Sequence, residues 1–303
     1  MDAPSPDDFW NLLAASRLVD AGVAADLRRD YEAEPPPQAA APAATVALAQ
    51  WLVARGAITL WQARRLARGD RGPYFVGDYR LLARLQSIGH SGLFRARHEP
   101  TGRVVQIVVL KPAACRDLAV WTAIVRRTTI AHQASDPFLS RTWALEQSGT
   151  NRFIVCEDIP DATLADELAA AGPLPVAEAA GLALDLARAV AELHRLGDIH
   201  GAVSLDMLRR TPAAAGGQPR SGRVRLAQFP LSADPHRDVP RVPSDDQQHL
   251  EALGQRAAYI APELMLPGRV SDARSDVYAI GCVFHALITG QPPCWQGDAQ
   301  RTL

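Results

Sequence analysis

The run from Leu174 to Leu196, LPVAEAAGLALDLARAVAELHRL, carries apolar residues at helical spacing, is introduced by Pro173 and Pro175, and is closed by Gly197. It predicts a long amphipathic helix with one face to bury. Eleven residues come next, DIHGAVSLDML (Asp198 to Leu208), too short and too mixed to be a second helix. About twenty residues later comes a strand-like run, RVRLAQFPLS (223–232). Long helix, loop, short strand is the order that the rest of the chain has to accommodate.

The chain has 303 residues, 48% hydrophobic and 21% charged, with a formal net charge of -1. That is globular composition, long enough for a two-lobed domain and a smaller extra one. The balanced charge gives no electrostatic case for nucleic acid or an acidic membrane surface. Cys115, Cys156, Cys282 and Cys294 are scattered without a C-x-x-C pair, which points away from a zinc site or disulfide framework and towards a reducing cytoplasm. The acidic N-terminus lacks the apolar core of a signal peptide, and no apolar run reaches about 18 residues, so no membrane insertion is expected. Lys111 is the only lysine.

The N-terminal quarter reads as helical. Phe9, Leu12, Leu13, Val23 and Leu27 sit at helical spacing; residues 33–43, AEPPPQAAAPA, interrupt it as a linker or exposed loop. Residues 12–29 then lie over 51–68, matching Leu13 to Leu52, Val19 to Ile58, Asp20 to Thr59 and Leu27 to Leu66. Asp20 and Thr59 fall where a second helix would start, and Thr59 with Gln62 forms a T-x-x-Q capping box. Two helix-turn-helix units are expected over residues 1–75, as a docking module or as a helical cap on the next domain. A DNA-reading role is disfavoured because the basic second unit (Arg55, Arg64, Arg65, Arg68) has no excess of base-reading Asn or Gln.

At Tyr79 the pattern changes to strands. YRLLARLQSIGHSGLFRARHEPTGRVVQIVVLK holds two β-rich runs joined by a Glu-Pro-Thr-Gly turn. Further on, FIVCED (153–158) reads as another strand, and YIAPELMLPGRVSDARSDVYAIGCVFHALITG (259–290) ends in a second amphipathic helix. In this order the segments resemble a bacterial serine/threonine protein kinase. The resemblance covers residues 79–303 and implies an α+β, bilobal fold: a β-rich small lobe (about 79–157) and a mainly helical, partial large lobe (about 158–303) that lacks its last helices. The prefix is similar to short helical repeats that precede the kinase domain in some of these kinases.

The same resemblance locates what has changed. The family's catalytic loop, H-R-D-x-K-x-x-N, falls on His200 to Met207, with Ala202 for the Asp base, Ser204 for the Lys and Met207 for the metal-binding Asn. Asp206 occupies the slot of a non-catalytic Glu and reads as a surface or capping carboxylate. The family's D-F-G falls on Gln228-Phe229-Pro230, so a neutral amide replaces the magnesium carboxylate. In the phosphate loop the three family glycines fall on Gln86, Ile88 and Ser91, while Gly89 and Gly92 sit off the pattern. On the third strand Gln106 replaces the adenine-packing Ala and Val108 the phosphate-holding Lys. Lys111 is out of phase with Val108 and points to the other face. The next helix, expected over Leu118 to Ala131, has no acid to pair with a strand lysine; Arg126 and Arg127 stand near that place. Cys156 and Glu157 fall on the back-pocket and hinge positions. The framework positions match: His200 and Phe229 for the column linking the lobes, Pro262 and Glu263 for A-P-E, Asp276 for the buried brace of the catalytic loop, and Gly281 on the central helix. The family Thr ahead of A-P-E becomes Arg256, and Ser232 and Ser244 are the only serine or threonine hydroxyls between 232 and 260.

These substitutions lead to the expectation of a pseudokinase: no enzyme, no cofactor or metal, and a cytoplasmic scaffold for a protein partner in signalling. Two alternatives stay open. One is an active or weakly active serine/threonine kinase using ATP and magnesium; the other is a partial or decayed reading frame.

Overall fold

The computed structural model of the protein describes residues 4–33, 41–88, 91–160, 162–211, 223–227, 254–265, 269 and 271–297. It divides into two compact units.

The first unit begins with four helices, α1 (Pro6–Ser16), α2 (Ala21–Ala33), α3 (Ala41–Ala54) and α4 (Leu60–Leu66). Each start has a local cause. Ser5 and Asp8 form a capping box on α1, Asp20 Oδ1 accepts from Gly22 N at 2.9 Å ahead of α2, and Thr59 and Gln62 form the capping box of α4. Phe9, Leu13, Leu48, Leu52 and Leu66 are fully buried among these helices. Four strands of the same unit come next, in the order β1-β2-β3-β4: β1 (Phe75–Val76), β2 (Tyr79–Ile88), β3 (Ser91–His98) and β4 (Val104–Leu110). β1 and β2 pair antiparallel with Val76 opposite Tyr79; Gly77, at φ 56°, makes the turn.

The helices and strands of this unit are joined by specific bonds. Thr59 Oγ1 donates to Leu82 O at 2.6 Å, and Gln62 Nε2 donates to Leu81 O at 2.7 Å. Arg80 donates to Leu18 O at 3.0 Å. The Trp61 and Phe94 rings meet edge-on, with centroids 6.0 Å apart.

The second unit holds α5 (Pro112–Arg116), α6 (Leu118–Gln133), most of β5 (Thr142–Ser148) and of β6 (Asn151–Glu157), whose residues 147–151 fall in the first unit, α7 (Leu164–Ala171), α8 (Val176–Arg195), β7 (Leu208–Arg210), β8 (Val224–Leu226) and α9 (Ala273–Thr289). α6 runs two residues past its expected end and is capped by Asp117, whose carboxylate accepts from Ala119 N and Val120 N. α8 begins at Val176, after both prolines, because Pro175 serves as its cap. Its buried face, Ala179, Leu182, Leu186, Ala189, Val190 and Leu193, has the predicted spacing. That face shares one core with Ala279, Val283, Ala286 and Leu287 of α9, and with Val203, Leu205 and Met207 of the intervening loop. β7 and β8 form an antiparallel pair, with Leu208 opposite Leu226. The architecture is the expected α+β, bilobal one. No helix among the described residues is long and apolar enough to cross a membrane.

Candidate active site

The loop from Gly197 to Met207 leaves α8 and returns through a short 3-10 turn at Leu205–Met207 into β7. Asp276, on the first turn of α9 and 1% exposed, holds its centre. Its Oδ2 accepts from His200 N at 2.8 Å and its Oδ1 accepts from Gly201 N at 2.8 Å. His194 Nε2 lies 2.9 Å from the same Oδ2. A buried carboxylate with several donors is satisfied where an apolar side chain would strand two amides.

The His200 ring is fixed at both nitrogens. Ala202 N donates to Nδ1 at 3.3 Å, so Nε2 carries the hydrogen and donates to Ala227 O at 3.2 Å. Burial lowers the imidazole pKa below its ordinary value, outweighing the attraction of Asp276. The ring is a neutral structural link between loop and β8.

The described positions that carry chemistry in the family each have a defined place here. Ala202 is exposed and presents only a methyl group. Ser204 is buried, and its Oγ finds no hydrogen-bond partner among the described residues. Met207 is buried; its N–H donates to Ser204 O at 3.0 Å and its carbonyl accepts from Ala227 N at 2.7 Å. Asp206 is partly exposed and forms an ion pair with Arg256 at 3.6 Å. The segment ahead of A-P-E thus sets a cation against the loop at Asp206, a pairing that position-by-position reading did not find. Glu263 accepts from Ser275 Oγ at 3.0 Å at the start of α9. Pro262 opens the short turn carrying Glu263, and Gly281 lies exposed on α9.

Cys156 is fully buried against Thr142, and desolvation pushes its thiol pKa up to about 12. Glu157 is tied to the Arg225 guanidinium of β8 and to Arg141 N, at 3.1 Å. In the first unit Gln106 and Val108 are both buried on β4. Gly92 has a packing reason: a Cβ there would lie 2.8 Å from Phe94 Cε2. Lys111 is exposed and stands at the start of α5. Gly89, Gln228, Phe229, Pro230 and the segment holding Ser232 and Ser244 lie outside the described residues.

The donor chemistry at the described loop positions does not fit magnesium. Ala202 offers no ligand, and Met207 offers a soft thioether to a cation that requires hard oxygens. No group of three or more His, Cys, Asp or Glu among the described residues could hold a metal ion.

Reading the sequence also missed the partners of Arg127. This arginine lies on α6 near the place of the family's acid and is buried. Its Nε donates to Asp198 Oδ2 at 3.1 Å, and its NH2 donates to Ile199 O at 2.7 Å and His200 O at 3.2 Å. Arg126 NH2 donates to Gly197 O at 2.7 Å. The available signal was an acid-free helix bearing two adjacent arginines together with a carboxylate two residues before His200.

A braced loop between two core helices, leading to an A-P-E turn, defines the protein kinase class of fold. The protein kinase domain family matches residues 87–303, and the chain belongs to it. Relatives include the "Probable serine/threonine-protein kinase CE0033" of Corynebacterium efficiens, 29% identical over 75% of this chain and 33% of the relative. The serine/threonine-protein kinase PknB of Mycobacterium leprae is 28% identical over 73% of this chain and 34% of its own length. PknL of Mycobacterium tuberculosis is 25% identical over 74% and 52%. The chain therefore spans about a third of the length of the first two. These names overturn the expectation that the chain is not an enzyme. The physical reason is one of scope: the substitutions at 108, 202, 207 and 228 say what those four side chains cannot do, and that expectation extended them to the whole domain.

Proposed function

We propose that this chain is the kinase-domain part of a bacterial serine/threonine protein kinase, acting in the cytoplasm and transferring phosphate from ATP to protein hydroxyls at a low rate. The observation that carries the reading is the catalytic loop held in frame by Asp276 at two consecutive amides. Family membership and the names of the relatives support it. The low rate follows from Val108, Ala202 and Met207 together; the loss of a general base at Ala202 alone reduces a transfer of this kind by roughly 10²–10⁴-fold.

A second reading, in which the domain serves signalling by binding a protein partner, is favoured by the methyl of Ala202, the thioether of Met207 and the aliphatic Val108. One experiment separates the two. Purified chain is incubated with γ-labelled ATP and magnesium, alone and with a generic acceptor protein, and its melting temperature is measured with and without nucleotide. The kinase reading expects label on serine or threonine above a heat-denatured control and a melting temperature raised by nucleotide. No label and no shift in a cooperatively melting chain would leave the binding reading in its place.

A further inference from the structure

The stretch Gly197–Gly201 is gripped from two sides by opposite charge. Its carbonyls at 197, 199 and 200 and the Asp198 carboxylate face the arginines of α6, while its amides at 200 and 201 face Asp276 of α9. Each partner has the sign that its backbone target requires: guanidinium donors for carbonyls, a carboxylate for N–H groups. Arg127 and Asp198 are both 8% exposed at their side chains, so the pair works where water screens little.

We propose that Arg127 is the positioning residue of the catalytic loop. In the family pattern this helix carries an acid answering a strand lysine; here the charge is reversed, and with Val108 aliphatic the arginine answers the loop instead. Helix α6 is thereby fastened to the loop directly. The placement of the loop backbone between Gly197 and Ala202 depends on a side chain 71 residues earlier in the chain. Lysine would not substitute fully, because one ammonium cannot reach a carboxylate and two carbonyls with the fixed fork that guanidinium presents. The consequence for transfer rests on the kinase reading above; the consequence for the backbone does not.

The test is amide hydrogen exchange, read by mass spectrometry on peptides covering 197–204 and on peptides from α1–α4, for the unaltered chain, Arg127→Met, Arg127→Lys and Asp198→Asn. Arg127→Met should raise exchange at 199–202 at least tenfold, leave α1–α4 unchanged, and lower the melting temperature by roughly 5–10 °C, as expected for breaking a buried ion pair. Arg127→Lys should fall between and keeps the site testable if the methionine variant does not fold. Where label transfer is detected, kcat should fall with KM for ATP unchanged. Exchange that rises uniformly, or stays unchanged at 199–202, overturns the proposal. Local opening at 199–202 in a chain whose unaltered form transfers no label removes the kinase reading and leaves Arg127 as the residue that sets the loop.

Discussion

His200 shows how one buried side chain ties the fold to pH. Its folded pKa is depressed by burial, so the unfolded chain binds the extra proton first. Stability is therefore fully present above the unfolded value of about 6.5 and is lost as pH falls through the window beneath it. Protonation also removes the Nδ1 acceptor for Ala202 N. The melting temperature should fall between pH 7.5 and 5.0, with a contribution from this group of at most about 1.4 kcal/mol per pH unit. His200→Phe should flatten that part of the profile; an unaltered slope would exclude His200 as its source. The cysteines make a second residue-scale prediction. With its thiol pushed up to about 12 and buried, Cys156 should resist iodoacetamide in the native chain, while exposed Cys294 reacts first. Labelling of Cys156 at the rate of Cys294 would contradict that burial.

At the level of elements, Asp276 joins the start of α9 to the loop that leaves α8. Asp276→Ala strands the amides of His200 and Gly201, each buried unsatisfied donor costing about 1–3 kcal/mol. Asp276→Asn keeps one oxygen for one of them and should cost less. Urea unfolding of the two variants checks the order, and equal midpoints would mean that water replaces the carboxylate. This brace was legible only through the family resemblance, which puts Asp276 in the bracing position; periodicity made the helices legible, since α8 and α9 announce their buried faces every three or four residues. The N-caps at Thr59 and Asp20 were legible as well, since a cap is a local bond between residues two or three apart. Arg127 and Arg256 were not legible. Their partners, Asp198 and Asp206, lie 71 and 50 positions away, and nothing in the local pattern of an arginine tells which carboxylate or carbonyl it will meet. Gly92 sits off the family's glycine pattern, and only the Phe94 ring at contact distance gives its packing reason.

On the scale of the molecule, the prefix and the first strands fall in one compact unit, while the internal repeat and the change to strands at Tyr79 led to the expectation of a boundary near residue 75. Among the joining contacts are the half-buried bond from Thr59 to the Leu82 carbonyl, the buried one from Gln62 to the Leu81 carbonyl, and Trp61 against Phe94. Two side-chain hydrogen bonds contribute about 1 kcal/mol each. An edge-on aromatic pair contributes about 0.5–1.5 kcal/mol, and uncovering a buried leucine such as Leu81 costs about 1.5–3 kcal/mol. Their sum, about 4–7 kcal/mol, is comparable with the whole stability of a marginal domain, about 5–15 kcal/mol. Deleting residues 1–75 should thus leave β2–β4 without a stable fold, seen as aggregation on expression or as loss of exchange protection across β2 and β3. Thr59→Ala with Gln62→Ala in the full chain should cost about 2 kcal/mol without unfolding it. A deletion chain that melts within about 2 °C of the full one, well inside the shift of roughly 2–4 °C per kcal/mol expected at this size, with β2 and β3 still protected, would establish the prefix as a separate domain. The Thr59, Gln62 and Trp61 contacts would then be surface packing that β2 and β3 can lose.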